Sequence, residues 1–319
     1  MRRRTLLAAA PLLLARPALA QTDWPTRPVR VIVPFPPGGS NDAIARPLAE
    51  ALARTFGQSF VVDNRGGAGS TIGTAEVARA PADGHTLLVT SSTFATSAAV
   101  QATPYDATRD LETMALLASA PLVMLAAPSF APNTMAEAVT FIRANPGRVH
   151  YGSAGPGSIG HMAGALFALR AGRLDMVHVP YRGTGPVLND MVAGTIELTF
   201  TSMPAAAGLV AAGRLKLLGW TTEAVPASGP VAPTPRSSGL DYEAGIWWGL
   251  IARRGLPEAI RTRLNVAANA AITEGRFAQT LAQEGATPGN LPPEGGDRFV
   301  LADIARWREV AQAANIRVE

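Results

Sequence analysis

The chain contains no cysteine, and this absence excludes several kinds of site at once. Disulfides, thiolate metal ligands, a cysteine nucleophile and a lipid-modified cysteine behind a signal sequence are all ruled out. Lysine is nearly absent too, because Lys216 is the single lysine among 28 basic residues. After the first twenty residues, no uninterrupted apolar run reaches the roughly 18 residues that a membrane-spanning helix needs. The sequence therefore predicts a protein without a membrane anchor.

Residues 1–20 have the composition of a signal peptide. Three arginines at positions 2–4 precede an apolar run over residues 6–15, and Ala18-Leu19-Ala20 is a small-x-small cleavage site. We therefore predict export to the periplasm and cleavage after Ala20. The paired arginines leave both the Sec and the twin-arginine export routes open.

Removal of this signal peptide changes the charge of the protein. The whole chain has 28 basic and 24 acidic residues, which gives a formal charge of +4. Four arginines and no acids fall in residues 1–20, so the mature chain has 24 residues of each sign and no net charge. A neutral chain offers no electrostatic reason to bind nucleic acid, and we predict no nucleic-acid partner.

Serine and histidine are present but are not arranged for the commoner kinds of catalysis. Neither Ser153 nor Ser158 lies in the G-x-S-x-G turn that exposes the nucleophile of an α/β hydrolase. We therefore expect no enzymatic activity, and a secreted α/β hydrolase or transferase is the weaker alternative. No metal site is predicted either, because no ligand-like spacing connects the histidines. They are His85, His150, His161 and His178.

Residues 155–160, GPGSIG, match the glycine pattern of dinucleotide-binding turns. Such a site also needs an acid at the end of the next strand to hold the ribose. Asp175 comes before the predicted strand 176–179 and would lie at the wrong end of the sheet. We therefore predict a solute-binding turn and no cofactor, with a purely structural turn as the remaining alternative.

The order of apolar and helical segments predicts an α/β fold. Short apolar runs at 29–33, 60–62 and 86–90 are separated by stretches with helical periodicity. This order is typical of a parallel, doubly wound sheet. A second series of alternating strands and helices follows between residues 122 and 219.

Two series of similar size suggest two lobes around a cleft, each with a mainly parallel sheet flanked by helices. We assign residues 21–123 and 245–319 to the first lobe and residues 124–244 to the second. Trp247 and Trp248 then fall near the second crossing between the lobes. Bulky aromatic residues at such a place are expected to pack in the core or at the hinge.

The segment at residues 34–42, PFPPGGSND, connects the first predicted strand to the first helix. Its prolines fix the backbone, and its two glycines permit a close approach to the main chain. Ser40, Asn41 and Asp42 are residue types that begin helices. A helix N-terminus behind glycines suits a carboxylate or phosphate, although an ordinary strand-to-helix turn is the alternative.

Ligands of open α/β sheets bind beyond the carboxyl ends of the strands. The loops expected there are rich in glycine, serine and threonine, hold two arginines and contain no acid. Hydrogen-bond donors and positive helix ends of this kind fit an anionic ligand. The loops are residues 35–40, 64–70, 91–96, 153–158, 181–185 and 201–203.

Two side chains in or beside these loops have more than one interpretation. Arg182 is placed to clamp a carboxylate, to tie loops together or to pair with Asp190. His161 falls in the first turn of a predicted helix, where it either faces the cleft or packs and caps, and we prefer the second interpretation.

Six collinear motifs make the chain resemble a known family. They are WPTRPVR at 24–30, PFPPGGSND at 34–42, DNRGGAG at 63–69, ADGHTLL at 82–88, YGSAGPGS at 151–158 and VPYRG at 179–183. Together they resemble the tripartite tricarboxylate transporter receptors, also called Bug receptors. The resemblance implies a periplasmic-binding-protein-like fold whose two lobes close on a small organic anion, usually a carboxylate. It also implies membrane transporter subunits that accept the loaded receptor, although presentation of the ligand to a sensor is an alternative.

We predict a binding site between the loop at 35–40 and the loop at 153–158, in a protein that we expect to be a monomer. Two helix N-termini would converge on the ligand's carboxylates there. The predicted ligand-binding residues are Phe35, Pro37, Gly38, Gly39, Ser40, Asn41, Ser91, Ser92, Thr93, Ser153, Ala154, Gly155, Gly157, Ser158, His161, Tyr181, Arg182, Gly183, Thr184 and Thr201.

The export prediction can be tested directly on secreted protein. If residues 1–20 act as a signal peptide, mass spectrometry of the periplasmic fraction should find an N-terminus at Gln21. Recovery of only the uncut chain, in the cytoplasm, would refute the prediction.

Overall fold

We describe the protein from a computed structural model, over residues 23–227, 229–273, 275–283 and 285–317. The predicted signal peptide and its cleavage site lie outside these ranges. In the described part of the chain, no helix combines the length and apolar composition needed to cross a bilayer.

Strands and helices alternate along most of the described chain. The strands are β1 (Val29–Val33), β2 (Phe60–Asn64), β3 (Thr86–Ser91), β4 (Leu111–Pro121), β5 (Val123–Ala126), β6 (His150–Ser153), β7 (Val177–Pro180), β8 (Leu198–Thr201), β9 (Lys216–Trp220), β10 (Gly245–Arg253) and β11 (Thr287–Pro288). The helices are α1 (Ser40–Phe56), α2 (Thr71–Arg79), α3 (Thr93–Val100), α4 (Met135–Ala144), α5 (Ile159–Arg170), α6 (Thr184–Ala193), α7 (Met203–Ala211), α8 (Glu258–Thr273), α9 (Gly275–Gln283) and α10 (Pro293–Ala313).

The first lobe is built on a six-stranded sheet in the order β11-β4-β10-β3-β1-β2. Strand β1 pairs in parallel with both β2 and β3, as the first series of apolar runs predicts. Strand β10 returns from the second lobe and pairs antiparallel with β3 and β4, and β11 pairs antiparallel with β4.

The second lobe is built on a five-stranded sheet in the order β7-β6-β8-β5-β9. Strand β6 pairs in parallel with β7 and β8, whereas β5 pairs antiparallel with β8 and β9. Strand β5 begins at Val123, immediately beyond Leu122 and the end of β4 at Pro121. The chain therefore passes from one sheet to the other with almost no connecting loop.

The two-lobed α/β architecture agrees with the prediction, but both sheets are mixed rather than mainly parallel. All but one of the antiparallel pairs involve β5 or β10, the strands at which the chain enters one sheet from the other. The exception is the short pair of β11 with β4. The sequence did not reveal β4, whose LETMALLASAP is rich in alanine and leucine and has no run of the β-branched residues that mark strands.

The tryptophans near the second crossing lie in the core, as predicted. Trp247 and Trp248 are both buried in β10. The Nε1–H of Trp247 donates to the Asp303 carboxylate in α10 at 2.8 Å, which holds that C-terminal helix against the first sheet.

Thr221 connects the two crossings between the lobes. It is fully buried, and its hydroxyl lies 2.8 Å from the Leu122 carbonyl and 2.6 Å from the Ala244 carbonyl. The Thr221 main chain also bonds to both crossings, since its N–H donates to Leu122 and its carbonyl accepts from Ala244. One residue thus connects the outgoing and returning strands through both its side chain and its main chain.

Removal of this hydroxyl should weaken the junction of the lobes. We expect Thr221→Val to lower the free energy of unfolding by about 1–3 kcal/mol, because it leaves a buried carbonyl without its partner. Urea denaturation measures this change as a lower midpoint at an unchanged slope.

Thr222→Val is the matched control. The Thr222 hydroxyl makes one local bond, to the Ala224 carbonyl at 3.0 Å. An equal loss of stability in both variants would contradict a special role for Thr221.

Candidate functional site

A cavity of about 650 Å³ lies between the two sheets, at the carboxyl ends of β1, β3, β6, β7 and β8. This is where the topology of open α/β sheets puts a ligand. Most of the residues predicted to bind a ligand lie in its wall. These are Phe35, Pro37, Gly38, Gly39, Ser40, Asn41, Ser91, Thr93, Ala154, Ser158, Arg182, Gly183, Thr184 and Thr201.

The other predicted residues are absent from the wall of this cavity and lie behind it. Ser92 is one example, because its hydroxyl accepts the Trp247 N–H at 2.8 Å and fixes the start of α3 against β10. Tyr181 is another, since its hydroxyl donates to the Asp190 carboxylate at 2.6 Å. The full set is Ser92, Ser153, Gly155, Gly157, His161 and Tyr181.

Sequence reasoning missed part of the second lobe's contribution. The first turns of α6 and α7 had a usable signal, because a proline near the start of a helix marks its N-terminus. The apolar residues of the wall had no such signal, because an apolar residue that lines a cavity looks the same in the sequence as one in the core. Three wall residues that were not singled out, Pro36, Gly185 and Ser202, lie in loops that the sequence predicted at the ligand site. The residues missed altogether, from both lobes, are Ala43, Leu122, Ile159, Gly160, Pro186, Val187, Leu188, Thr199, Phe200, Pro204, Ala205 and Ile246.

Five helices begin at this cavity, where the sequence predicted two. Their N-cap residues are Gly39 for α1, Ser92 for α3, Ser158 for α5, Gly183 for α6 and Ser202 for α7. Of these five N-cap residues, only Ser158 caps its helix with a side chain. The first turn of a helix has main-chain N–H groups without helical partners and carries a partial positive charge. The cavity is therefore surrounded by positive helix ends.

Asp42 shapes the loop in front of α1 rather than facing a ligand. Its carboxylate accepts from Arg46 at 2.9 Å, from the Gly38 N–H at 3.1 Å and from Asn64 at 3.0 Å. Burial raises the pKa of Asp42, but the bonds from Arg46, Gly38 and Asn64 outweigh it and hold the pKa below its usual value. The charge of the one acid in these first turns is thus matched by Arg46.

Arg182 is the one charged side chain in the cavity wall formed by the described residues. The proposed pairing with Asp190 is not formed, because Asp190 accepts instead from the Tyr181 hydroxyl. In the described part of the chain, the Arg182 guanidinium makes no hydrogen bond or ion pair. It is exposed and available to an anion in the cavity.

Two histidines that are distant in sequence meet behind the wall. The rings of His161 and His178 stack with their centroids 3.8 Å apart, and Ser153 Oγ lies 2.7 Å from His178 Nε2. Burial lowers the pKa of His161 to about 4, and burial together with the neighbouring His161 lowers the pKa of His178 to about 3. His161 is therefore neutral near pH 7, and its Nδ1 accepts the Gly157 N–H at 3.1 Å. These contacts support the interpretation that His161 packs and caps.

Side chains at α3 connect loops of the two lobes, and we call these contacts the α3 bridge. On the second lobe, Thr96 Oγ1 donates to the Gly157 carbonyl at 2.6 Å, and Gln101 Nε2 donates to the Pro156 carbonyl at 2.9 Å. On the first lobe, the Thr71 hydroxyl donates to Gln101 Oε1 at 3.0 Å. The α3 bridge therefore fixes the loop that begins α5 relative to the first lobe.

The chain matches a family described as "Tripartite tricarboxylate transporter family receptor" over residues 44–316. It is 32% identical over 311 residues to protein BugT of Bordetella pertussis, covering 96% of this chain and 94% of BugT. Its fold superposes on R. palustris Rpa4515 with adipate at a TM-score of 0.86 and 34% identity, covering 92% of this chain and 99% of that one. It also superposes on MatC (Rpa3494) from Rhodopseudomonas palustris with bound malate at a TM-score of 0.83 and 31% identity, covering 90% and 99%.

Two lobes, a cavity at their strand ends and five helix N-termini around it define a two-lobed solute-binding protein. The family match and the relatives agree with this class. The chain belongs to the tripartite tricarboxylate transporter receptor family. It is therefore a periplasmic solute-binding receptor and not an enzyme, which rules out the hydrolase and transferase alternatives.

The α3 bridge gives a prediction about the loop before α5. Gln101→Met keeps the length of the side chain but removes its bonds to Pro156 and Thr71. We expect faster hydrogen–deuterium exchange in peptides that span residues 150–160, because opening of a loop that has lost a hydrogen bond costs about 1 kcal/mol less.

Gln312→Met is the control for this measurement. Gln312 is exposed in α10 and has no side-chain hydrogen bond within the described residues. Unchanged exchange at residues 150–160 in Gln101→Met would show that the α3 bridge does not hold the loop.

Proposed function

We propose that the cavity captures a small organic anion, a carboxylate, and that the loaded receptor delivers it to membrane transporter subunits. The observation that carries this proposal is the charge of the wall. Five helix N-termini and Arg182 surround the cavity, and no acidic side chain of the described residues lines it. The adipate and malate bound to the two similar structures support a carboxylate.

These donors are strong enough for a useful affinity. A helix N-terminus contributes about 0.3–1 kcal/mol when exposed and up to ~2 kcal/mol when partly buried. A hydrogen bond to a charged group contributes about 1.5–3 kcal/mol. After the cost of immobilising the ligand, two or more such ends and Arg182 suffice for a micromolar Kd, which corresponds to about −8 kcal/mol.

The proposal includes the N-terminus, the location, the oligomeric state and the lobe boundaries of the receptor. The mature receptor begins at Gln21 and acts in the periplasm as a monomer. Its first lobe comprises residues 21–123 and 245–319, and its second lobe comprises residues 124–244. The start of β5 at Val123 supports a boundary within a residue of this division.

The sign of the ligand's charge can be tested with matched compounds. A thermal-shift screen of mono-, di- and tricarboxylates, including adipate and malate, first finds a ligand, which at 100 times its Kd should add about 2.7 kcal/mol of stability. Calorimetric titration then compares that acid with its amide at low and high salt. We expect the amide to bind about tenfold or more weakly, because it loses a negative charge and a matched acceptor. Equal affinities for acid and amide would contradict the proposal.

A glycine substitution tests the location of the site. Gly39 has φ −84°, and a Cβ added there would meet nothing closer than the Pro36 carbonyl at 4.0 Å. Gly39→Val should therefore fold normally, fill part of the cavity and abolish binding. Gly208→Val is the control, because Gly208 also has open space beside it but lies outside the cavity wall. Binding that survives in Gly39→Val would put the site elsewhere.

A further inference from the structure

The wall of the cavity also limits what the rest of the ligand can be, provided that the proposed function holds. Arg182 is its one charged side chain among the described residues, and the other polar groups are hydroxyls, main-chain groups and the Asn41 amide. The wall offers no carboxylate. A cationic group on the ligand would therefore meet no opposite charge.

The acids nearest in sequence to the wall are already engaged. Asp42 is bonded to Arg46, Asp190 accepts from Tyr181, and Glu197 accepts from the His150 N–H. A ligand ammonium would lose its water, gain no charged partner and lie among five positive helix ends. The cavity is therefore unfavourable to amino acids, although it suits their carboxylates.

The remainder of the wall is apolar and includes residues from both lobes. Leu122 and Ile246 lie at the two crossings between the sheets, and both are buried. Phe35 comes from the loop after β1, whereas Ile159 and Pro204 come from the first turns of α5 and α7. A ligand with several hydroxyl groups would leave many of these apolar contacts unused.

The size of the cavity agrees with a ligand body that extends beyond a pair of carboxylates. Its volume of about 650 Å³ is in the range of roughly 300–1,000 Å³ that holds drug-sized ligands. A body made of methylene groups or an aromatic ring would cover the apolar wall, and each buried methylene should strengthen binding about fourfold.

We propose that this receptor selects carboxylates with an extended apolar body and no ammonium group, and that it rejects amino acids. The charge of the wall determines the exclusion, and its apolar surface determines the preferred length. This inference rests on the proposed function, since it describes the ligand of the same site.

Calorimetric titration of the mature protein with two matched sets of acids tests this inference. The length series is succinate, adipate and suberate, and the ammonium series is adipate against 2-aminoadipate and succinate against aspartate. We expect adipate or suberate to bind about tenfold or more tightly than succinate, and each amino derivative to bind about tenfold or more weakly than its parent.

The possible results separate this inference from the proposed function. If the amino derivatives bound as tightly as their parent acids, the receptor would not exclude amino acids. The proposed binding of carboxylates would still stand. If succinate bound more tightly than adipate and suberate, the proposed preference for an extended apolar body would be wrong. Failure of the whole screen of carboxylates would overturn the proposed function and this inference with it.

An acid introduced into the wall tests the same idea from the protein's side. Thr184 is the first residue of α6 and lines the cavity, and an aspartate is well tolerated in the first turn of a helix. Thr184→Asp should weaken adipate binding about tenfold or more and reduce the discrimination against 2-aminoadipate by a similar factor.

Ala136→Asp is the matched control for the added charge. Ala136 is exposed in the first turn of α4, in the same lobe but outside the cavity wall. It should leave both affinities unchanged. If Thr184→Asp left the ratio of the two affinities unchanged, the charge of the wall would not govern the exclusion of amino acids.

Discussion

The site depends on the main-chain N–H groups at the starts of helices, which have no carbonyl partners within their own helices. Each α/β unit at the cleft ends its strand and begins its helix at the same edge of the sheet, so these donors share one space. Side chains leave four of the five helix starts uncapped within the described residues. The acid in the first turn of α1, Asp42, is neutralised by Arg46. A space bounded in this way requires water or an anion to satisfy its donors.

The N–H donors can act on one ligand only if the two lobes are held in a fixed position relative to each other. Helices α1 and α3 begin in the first lobe, whereas α5, α6 and α7 begin in the second. Thr221 connects the two crossings, and the α3 bridge through Thr96 and Gln101 connects loops of the two lobes. Ligand affinity in such a protein is divided between contacts to the ligand and the free energy of holding the lobes together. Residues that never touch a ligand therefore influence its affinity.

The sequence predicted the site better than the sheets that support it. Glycine and N-cap residues at 38–41 and 153–158 have local signals, because turn and helix-start chemistry depends on adjacent residues. Strand β4 has no such signal, since its place is decided by pairing with β10, far away in the chain. The stacking of His161 on His178 is likewise a product of tertiary packing. The features that the sequence did not predict are those that depend on contacts between segments far apart in the chain.

Because residues 21–319 carry no net formal charge, selectivity for anions has to arise inside the cleft. Long-range attraction does not steer a ligand to a neutral protein, whereas Arg182 and the helix ends act over short distances where water is excluded and salt screens poorly. The part of the ligand beyond its carboxylates is then selected by the apolar residues of the wall. Leu122 belongs to that wall, and its carbonyl also accepts from Thr221 at the hinge. Leu122 therefore belongs both to the wall of the cavity and to the junction of the lobes.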